Sequence, residues 1–398
     1  MNQRELFLRH VGQTSLAPLA LEISSARGCH LFDVNNKEYI DLIGGISVAN
    51  TGHGHPAVRE AIDQQLDRYL HVMVYGEVIQ SPQVQYARLL TDHLPDTLNS
   101  VYFTNSGAEA VEGAMKLAKR YTGRTRIIAA KNSYHGSTQG ALSIIGDEYW
   151  RNAYRPLLPD ILHIDYNSYS WLDQIDDSTA CVILETIQAE GGVIAPDPHW
   201  LQAVRKRCTE TRTLLVLDEI QAGFGRTGKL WGFEHFGIVP DILLLGKALG
   251  GGMPLGAFVS NRDIMITLAD NPVLGHITTF GGHPVSCAAG QAALQVLLNE
   301  SLPQSVSQKE QLFLSLLRHP SIKSIRSFGL WMAVEFDSFE TNKKVIDRLL
   351  QHEGTGVFTD WFLFAASCFR ICPPLTITSE EINKACRIIN SVLDQIHL

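Results

Sequence analysis

Short apolar runs alternate with amphipathic stretches over the first 260 residues, and this alternation predicts a doubly wound α/β sheet. Two runs, residues 214–217 and 242–245, are uniformly apolar and bounded by turn residues, which is typical of fully buried parallel strands. Asp218 follows the first run directly, and Lys247 lies just beyond the second. Because ligands bind at the carboxyl ends of parallel strands, we expect Asp218 and Lys247 to face one pocket.

The same periodicities predict the other elements. In the first part of the chain they predict a hairpin over residues 28–41, a helix over 57–70, and strands over 100–103, 126–130 and 180–184. From about residue 296 they predict a helix, a strand at 330–336, and helices at 343–352 and 379–396. We therefore expect an N-terminal segment (1–50), a large domain (51–295) and a smaller α+β domain (296–398).

A helix start after the strand at 100–103 is a candidate anion site. Ser106 and Glu109 have the spacing of a capping box, which places the first turn of a helix that stops at Gly123. The first amides of such a helix lack carbonyl partners, and Gly107 and Ala108 let a ligand approach them closely. The segment is suited to a phosphate, and a capped helix without a ligand remains the alternative.

Composition excludes several classes of protein. The 398 residues are 45% hydrophobic and 19% charged, and the net charge of −8 without long charge runs argues against a nucleic-acid-binding protein. Seven scattered cysteines without a Cys-x-x-Cys pair indicate reduced thiols and no zinc site. No signal-peptide pattern and no run of 18 apolar residues is present, so we expect a cytoplasmic protein.

Two short motifs look like ligand sites and are rejected. Residues 223–229 match Gly-x-Gly-x-x-Gly and the start of a P-loop, but Leu230 replaces the magnesium-binding Ser or Thr and no amphipathic helix follows. His53 and His55 have no Cys, Asp or Glu at suitable spacing to complete a metal site, and we predict no metal.

Further polar residues lie at predicted strand ends. Glu185, Gln188 and Glu190 follow the strand at 180–184, and an aromatic residue, Tyr134, follows the strand at 126–130. Arg370 is embedded in apolar and proline-rich sequence, so it needs an anionic partner, either a protein carboxylate or a substrate.

Taken together, six motifs resemble the class III pyridoxal-phosphate-dependent aminotransferases, the group that includes ornithine, acetylornithine and 4-aminobutyrate aminotransferases. The motifs are Thr-Asn-Ser-Gly-Ala-Glu-Ala at 104–110, Tyr-His-Gly at 134–136, Leu-Asp-Glu-Ile-Gln-Ala-Gly-Phe-Gly-Arg-Thr-Gly at 217–228, Gly-Lys-Ala-Leu-Gly-Gly-Gly at 246–252, Thr-Phe-Gly-Gly-His-Pro at 279–284 and Arg-Ile-Cys-Pro-Pro-Leu at 370–375. The resemblance implies fold type I, with a mostly parallel seven-stranded sheet and a small α+β domain. It also implies the cofactor pyridoxal 5'-phosphate, and a homodimer with shared active sites.

The resemblance further implies a role for each matching residue. Lys247 forms the internal aldimine and moves protons, and Asp218 keeps the cofactor ring nitrogen protonated. The implied cofactor contacts are Ser106, Gly107 and Ala108 at the phosphate, Tyr134 and Ile220 on the ring faces, Gln221 at the ring hydroxyl, His135 within the Tyr-His-Gly motif, and Thr279 at the phosphate of the neighbouring subunit. Arg370 binds a substrate carboxylate, and Glu190 pairs with it while an ω-amine reacts.

Three positions depart from the family pattern. Ser137 replaces an arginine that grips the distal carboxylate of glutamate in ornithine-type members, which leaves 2-oxoglutarate and pyruvate open as acceptors. His283 and Gly246 replace an asparagine and a serine that are frequent there. The predicted function is transfer of an ω-amine, or of the amine of a basic amino acid, to a keto acid.

Two other classes of function are compared with transamination. A decarboxylase or aminomutase on the same scaffold would use the same lysine and break a different bond. A binding protein that has lost its cofactor would lack the lysine, whereas Lys247, Asp218 and Arg370 are all present.

Overall fold

The computed structural model of the protein describes residues 2–74 and 76–396, so the outermost ends of the predicted terminal domains, Met1 and Leu398, lie outside the described part. The strands, in chain order, are β1 (Ile23–Arg27), β2 (His30–Asp33), β3 (Glu38–Asp41), β4 (Ser100–Thr104), β5 (Arg126–Ala130), β6 (Ile161–Ile164), β7 (Thr179–Glu185), β8 (Leu214–Asp218), β9 (Ile242–Leu245), β10 (Gly256–Ser260), β11 (Ser324–Ser327), β12 (Met332–Glu335), β13 (Gly356–Phe358) and β14 (Cys368–Ile371).

The α-helices, again in chain order, are α1 (Gln3–His10), α2 (Gly44–Ser47), α3 (Pro56–Leu66), α4 (Ser81–Thr91), α5 (Gly107–Thr122), α6 (Gln139–Ser143), α7 (Glu148–Arg151), α8 (Pro198–Thr211), α9 (Arg262–Met265), α10 (Pro284–Asn299), α11 (Val306–Leu316), α12 (Phe339–Gln351) and α13 (Ser379–Gln395). Short 3-10 helices include Gly232–His235 and Lys247–Gly250.

A seven-stranded sheet in the order β4-β10-β9-β8-β7-β5-β6 forms the centre of the molecule. Only β10 runs antiparallel to its neighbours, β4 and β9, and the remaining pairings are parallel. Every residue of β7, β8 and β9 is buried, as expected for strands covered on both faces. The predicted doubly wound, mostly parallel seven-stranded sheet is confirmed.

Two smaller sheets flank this centre. The predicted hairpin over 28–41 forms from β2 and β3, and β3 also pairs in parallel with β13, more than 300 residues further along the chain. The C-terminal part contains the antiparallel sheet β11-β12-β14. Helix α10 spans the predicted boundary at 295/296, and the division into domains stays a prediction.

Several predicted bounds differ from the observed ones. The helix predicted over 57–70 ends at Leu66, because Leu66 and Leu70 are exposed and no apolar packing extends the last turn. The helix predicted from 343 begins at Phe339, where the Ser338 hydroxyl caps it by accepting the Thr341 N–H. The strand predicted over 330–336 is limited to Met332–Glu335.

The rejected motifs have structural partners of their own. Buried Arg226, within the Gly-x-Gly-x-x-Gly match, donates to the carbonyls of Leu330 and Pro373, and the following segment is the 3-10 helix Gly232–His235. His53 pairs with Asp41 at 2.7 Å, whereas His55 pairs with Glu300. Within residues 2–74 and 76–396, no helix has the length and apolar character needed to cross a membrane, and no group of three His, Cys, Asp or Glu side chains could hold a metal.

Candidate active site

The carboxyl ends of three neighbouring strands of the large sheet meet at one cavity. Glu185 ends β7 and Asp218 ends β8, and the two are direct partners in the strand register. Lys247 follows β9 and begins the 3-10 helix Lys247–Gly250. All three residues line a cavity of about 190 Å³ that is partly open to solvent. The predicted meeting of Asp218 and Lys247 is therefore observed.

Asp218 is held in place by a buried histidine. Its Oδ2 lies 2.7 Å from His135 Nδ1, and its Oδ1 accepts the N–H of Ile220 at 3.0 Å. Burial disfavours the charged imidazole, yet the hydrogen bond to Asp218 and the charges of Asp218 and Glu185 raise the pKa of His135. The aspartate is consequently fixed in orientation and available to pair with a protonated group in the cavity.

The Glu185 carboxylate binds backbone N–H groups in two loops next to the strand ends. One carboxylate oxygen accepts the N–H of Tyr134 at 3.0 Å, and the other accepts the N–H of Ala189 at 2.8 Å. Burial, reinforced by the charge of Asp218, raises the pKa of Glu185 to about 8, although His135 and the two backbone donors act in the opposite direction. This side chain anchors the loop that carries Tyr134 and His135.

Lys247 combines an unusual backbone with a shifted amine. Its φ of +49° lies in the left-handed region, which is uncommon for a residue with a side chain. Burial and the nearby guanidinium of Arg370 lower the pKa of Lys247, while Glu190 and Asp218 oppose the shift. A lysine with a lowered pKa has more of the neutral amine that can attack a carbonyl carbon.

The first turn of α5 forms one end of the cavity. The predicted capping box is only half present: the Ser106 hydroxyl accepts the Glu109 N–H, but the Glu109 carboxylate binds the backbone N–H and side-chain amide of Asn105. Gly107 and Ala108 line the cavity, whereas Ser106 is the N-cap beside it. The amides of this turn have no carbonyl partner within the helix, so the end of the cavity can receive a phosphate.

Glycines allow the walls to come together at this end. Gly136 has a φ of +127°, and a Cβ built on it would lie 2.5 Å from the Cβ of Ala108. A Cβ on Gly107 would lie 2.7 Å from Cδ1 of Ile220. These glycines therefore let Gly136 pack directly against Ala108, and Ile220 against Gly107, at the first turn of α5.

An aromatic ring, an aliphatic side chain and two polar side chains complete the lining of the cavity. Tyr134 and Ile220 both line the cavity, and the Tyr134 hydroxyl lies 3.0 Å from the Ser137 hydroxyl. In the described part of the chain, Gln221 Oε1 and His135 Nε2 are buried without a hydrogen-bond partner. Buried polar atoms are rarely left unpaired, so the cavity is suited to a ligand with polar groups that can bind them.

Arg370 and Glu190 form a buried ion pair next to this lining. Arg370 Nη1 donates to Glu190 Oε1 at 3.0 Å and Nη2 donates to Oε2 at 3.1 Å. Gln221 Nε2 lies 3.3 Å from Glu190 Oε1 and connects the pair to the cavity. Burial opposes both charges, but the pairing raises the pKa of Arg370 and lowers that of Glu190.

Asp360 is a second carboxylate on Arg370 that sequence reasoning missed. Its Oδ1 accepts the Nε–H of Arg370 at 2.9 Å. The available signal was a single acid in an apolar stretch ten residues before Arg370. The contact depends on the turn that brings the two residues together, where the Arg370 N–H donates to the Asp360 carbonyl.

The structure brings most of the predicted site residues together, and a few lie elsewhere. The predicted residues that line the cavity are Gly107, Ala108, Tyr134, His135, Asp218, Ile220, Gln221 and Lys247. Thr279 is exposed and does not line this cavity. Lining residues that were not singled out beforehand are Gly136, Ile187 and Ala222.

Comparison with known proteins gives consistent results. A family model described as Aminotransferase class-III matches residues 11–393. The chain is 38% identical over 391 residues to the acetylornithine aminotransferase of Methanopyrus kandleri, with 97% of each chain covered. It is 37% identical over 383 residues to that of Caldanaerobacter subterraneus subsp. tengcongensis, with 93% of each covered.

Two solved structures show the same likeness. The ornithine aminotransferase from Toxoplasma gondii, crystallised with partial occupancy of PLP at its active site, superposes with a TM-score of 0.91 at 31% identity, covering 98% of this chain and 93% of that chain. An (S)-enantioselective omega-transaminase from Thermomicrobium roseum superposes with a TM-score of 0.89 at 26% identity, covering 99% and 98%.

Proposed function

The chain belongs to the class-III aminotransferases, and from this premise we propose how its own residues carry out pyridoxal-phosphate-dependent transamination. The observation that carries the proposal is a lysine of lowered pKa, Lys247, at the same strand ends as the Asp218–His135 pair. When bound, pyridoxal 5'-phosphate supplies a ring that withdraws the electron pair left after a proton is removed beside the amine.

Lys247 and Asp218 are proposed as the reacting groups. Lys247 Nζ would hold the cofactor covalently, and its amine would take up and return a proton at the substrate carbon. The Asp218 carboxylate holds a proton on the ring nitrogen, and His135 keeps that carboxylate in its orientation. Loss of a buried charge-assisted contact of this kind costs about 1.5–3 kcal/mol or more.

The remaining residues bind and orient the cofactor. The amides of Gly107 and Ala108, with the N-cap Ser106, bind the phosphate, while Tyr134 and Ile220 pack against the ring faces. Gln221, whose Oε1 is buried without a partner among the described residues, contacts the ring hydroxyl. In the proposed homodimer, the exposed Thr279 reaches the phosphate of the neighbouring subunit.

Arg370 and Glu190 are proposed to select between two substrate orientations. With Glu190 paired to Arg370, an ω-amine reacts without a carboxylate at the arginine. When Glu190 turns away, Arg370 binds the carboxylate of the keto acid in the same bidentate manner. A buried arginine is thereby paired in both states.

The proposed donor is an ω-amine or the amine of a basic amino acid, such as acetylornithine, ornithine or 4-aminobutyrate. Support comes from relatives named acetylornithine aminotransferase and from the Glu190–Arg370 pair. Ser137 supplies no cation for a second carboxylate, which supports pyruvate as an acceptor beside 2-oxoglutarate. The named relatives favour transamination over the alternatives of decarboxylation and aminomutation.

We also propose a cytoplasmic homodimer. The seven cysteines are all buried and free, which agrees with a reducing compartment. Exposed apolar side chains in two neighbouring segments, residues 70–74 with 76–80 and residues 266–280, support burial of this surface against a second copy.

The function is tested with the Lys247→Ala variant and with Lys229→Ala, an exposed lysine, as the matched control. After borohydride treatment of the holoprotein, mass spectrometry should find the cofactor attached to Lys247 in wild type and in the control only. Lys247→Ala should lose about 100-fold or more of the reaction rate with acetylornithine, as expected on removal of a general acid–base group.

Keto acids then test the second half of the reaction. After acetylornithine, ornithine or 4-aminobutyrate has converted the cofactor to its amine form, pyruvate and 2-oxoglutarate should each restore the starting spectrum, and their rates identify the acceptor. Release of carbon dioxide, or turnover without a keto acid, would favour the alternative chemistry. Full activity of Lys247→Ala would contradict the assignment of the lysine.

A further inference from the structure

The segment from Asp360 to Phe364 contacts both members of the Glu190–Arg370 pair. Asp360 accepts the Nε–H of Arg370, and the ring of Phe362 lies 4.3 Å from the Arg370 guanidinium carbon. On the other side, the N–H of Leu363 donates to Glu190 Oε2 at 3.0 Å and the N–H of Phe364 donates to the Glu190 carbonyl at 3.0 Å. Residues 360–364 therefore contact the ion pair from both sides.

The guanidinium of Arg370 is held along two separate edges. Both Nη groups face Glu190, whereas the Nε–H faces Asp360 at 2.9 Å. Stacking on Phe362 fixes the plane of the guanidinium. If Glu190 moved away, the contacts to Asp360 and Phe362 would stay, and the two Nη groups would keep their direction.

The charges around Arg370 also indicate that Asp360 remains its partner when Glu190 moves away. Arg370 is about 1% exposed and lies between two carboxylates, so displacement of Glu190 leaves it paired with Asp360. A buried guanidinium without any anion would be strongly unfavourable. Asp360 is one-third exposed, yet burial and the charge of Glu190 raise its pKa against the opposing charge and hydrogen bond of Arg370.

We propose that Asp360 is a positioning residue that keeps Arg370 oriented and paired while Glu190 exchanges with a substrate carboxylate. This inference rests on the proposed function, in which Arg370 is the carboxylate receptor. The exchange requires that one guanidinium binds two carboxylates at once. The Nε–H keeps its bond to Asp360, while Nη1 and Nη2 exchange Glu190 for the substrate carboxylate.

Three variants test the role of Asp360. Asp360→Ala removes the acceptor of the Nε–H, and Asp360→Asn keeps an oxygen that can accept it. Asp337→Ala changes an exposed aspartate near the start of α12 and serves as the matched control. Each holoenzyme is titrated with propionate, which has a carboxylate but no reactive carbonyl, and the cofactor absorbance reports the dissociation constant.

Asp360→Ala should weaken propionate about 10-fold, the loss expected for one charge-assisted hydrogen bond. Asp360→Asn should recover most of the loss. In kinetics, Asp360→Ala should raise the KM for pyruvate by a similar factor, while the rate of the acetylornithine half-reaction stays within about twofold of wild type. A merely structural role would lower both half-reactions together.

The failures of this inference and of the proposed function are distinguishable. Equal propionate binding in wild type and Asp360→Ala would overturn the positioning role, with transamination intact. Absence of propionate binding in wild type, with acetylornithine still reacting, would overturn Arg370 as the receptor and Asp360 with it. Absence of any reaction with amines would overturn the proposed function, while the propionate titration would still decide the role of Asp360.

Discussion

At the scale of single residues, two adjacent acids of the chain have different roles because they face different surroundings. Asp218 points to the cavity and binds His135, whereas the carboxylate of Glu219 accepts the N–H groups of Gly232 and Phe233 at 2.6 Å. Burial raises the pKa of Glu219 to about 7, against the donors that favour its ionised form. Glu219 thus holds the next loop in place, whereas Asp218 faces the cavity, where we propose that it takes part in the reaction.

The sequence allowed one of these roles to be predicted. The motif around Asp218 predicted its place at a strand end, because an apolar run of fixed length leads to it. The partners of Glu219 and Asp360 could not be predicted, since one turn brings two backbone N–H groups to the Glu219 carboxylate and another brings the Arg370 guanidinium to the Asp360 carboxylate. Pattern and spacing describe a strand, but not the path of the loop that follows it.

The raised pKa of Glu185 leads to a prediction about pH and stability. The pKa is about 8 in the folded protein and near 4.5 when unfolded, so the folded state binds one more proton between these values. The contribution of Glu185 to stability is full below pH 4.5 and is lost as the pH rises through 8. The slope is at most about 1.4 kcal/mol per pH unit.

Glu185→Gln should therefore flatten the fall of the unfolding free energy between pH 5 and pH 8. Urea denaturation of the apoprotein at four pH values measures this, with Glu60→Gln on the exposed face of α3 as control. An unchanged slope in Glu185→Gln would show that Glu185 does not carry the extra proton.

At the scale of secondary-structure elements, the site is built from strand ends and from the first turn of α5. The strands at 214–217 and 242–245 were predicted within one residue, because uniformly apolar runs admit few other structures. The capping of α5 was predicted only in part, because the Glu109 carboxylate accepts the N–H of Asn105 and not that of Ser106. Local spacing does not distinguish two neighbouring donors.

Gly136→Ala is predicted to damage the end of the cavity without removing any polar contact. The added methyl would lie 2.5 Å from the Cβ and 3.0 Å from the Cα of Ala108, and the φ of +127° is itself strained for alanine. Overpacking of this kind costs about 1–3 kcal/mol. We expect a weaker affinity of the apoprotein for pyridoxal 5'-phosphate, measured by absorbance titration.

Gly12→Ala provides the control for this variant, because a Cβ at Gly12 meets nothing within 4 Å. If Gly136→Ala bound the cofactor as tightly as Gly12→Ala, the contact between the 134–137 loop and α5 would not shape the phosphate end.

At the scale of the whole molecule, one surface is unusually apolar. Ile79 is 91% exposed, Val273 is 69% exposed, and both belong to segments that border the same surface cavities. The ring of His71 contacts that of Phe280 in a tilted arrangement, with the centroids 4.9 Å apart, and joins the two segments. In the proposed homodimer this exposed apolar area would be the interface, and Thr279 lies within it.

Ile79→Lys is predicted to weaken the dimer by about 10-fold or more, since it places a charge in the centre of the apolar surface. Sedimentation velocity should show wild type at twice the chain mass and the variant shifting to monomer on dilution. Val239→Lys, on a different surface, is the control. The monomeric variant should also lose affinity for the cofactor if Thr279 acts across the interface.

An active wild-type monomer would contradict the homodimer. If Ile79→Lys became monomeric but kept its affinity for the cofactor, the proposed homodimer would stand and the proposed role of Thr279 would be contradicted.

The left-handed backbone at Lys247 makes this lysine costly for the stability of the protein. A residue with a Cβ costs about 1–2 kcal/mol in this conformation, and glycine avoids most of that cost. Replacement of the lysine by glycine is thus expected to yield a more stable protein that lacks the amine on which the proposed reaction depends. A strained backbone at a residue with a side chain is expected where that side chain is needed, which agrees with the proposed role of Lys247 in the reaction.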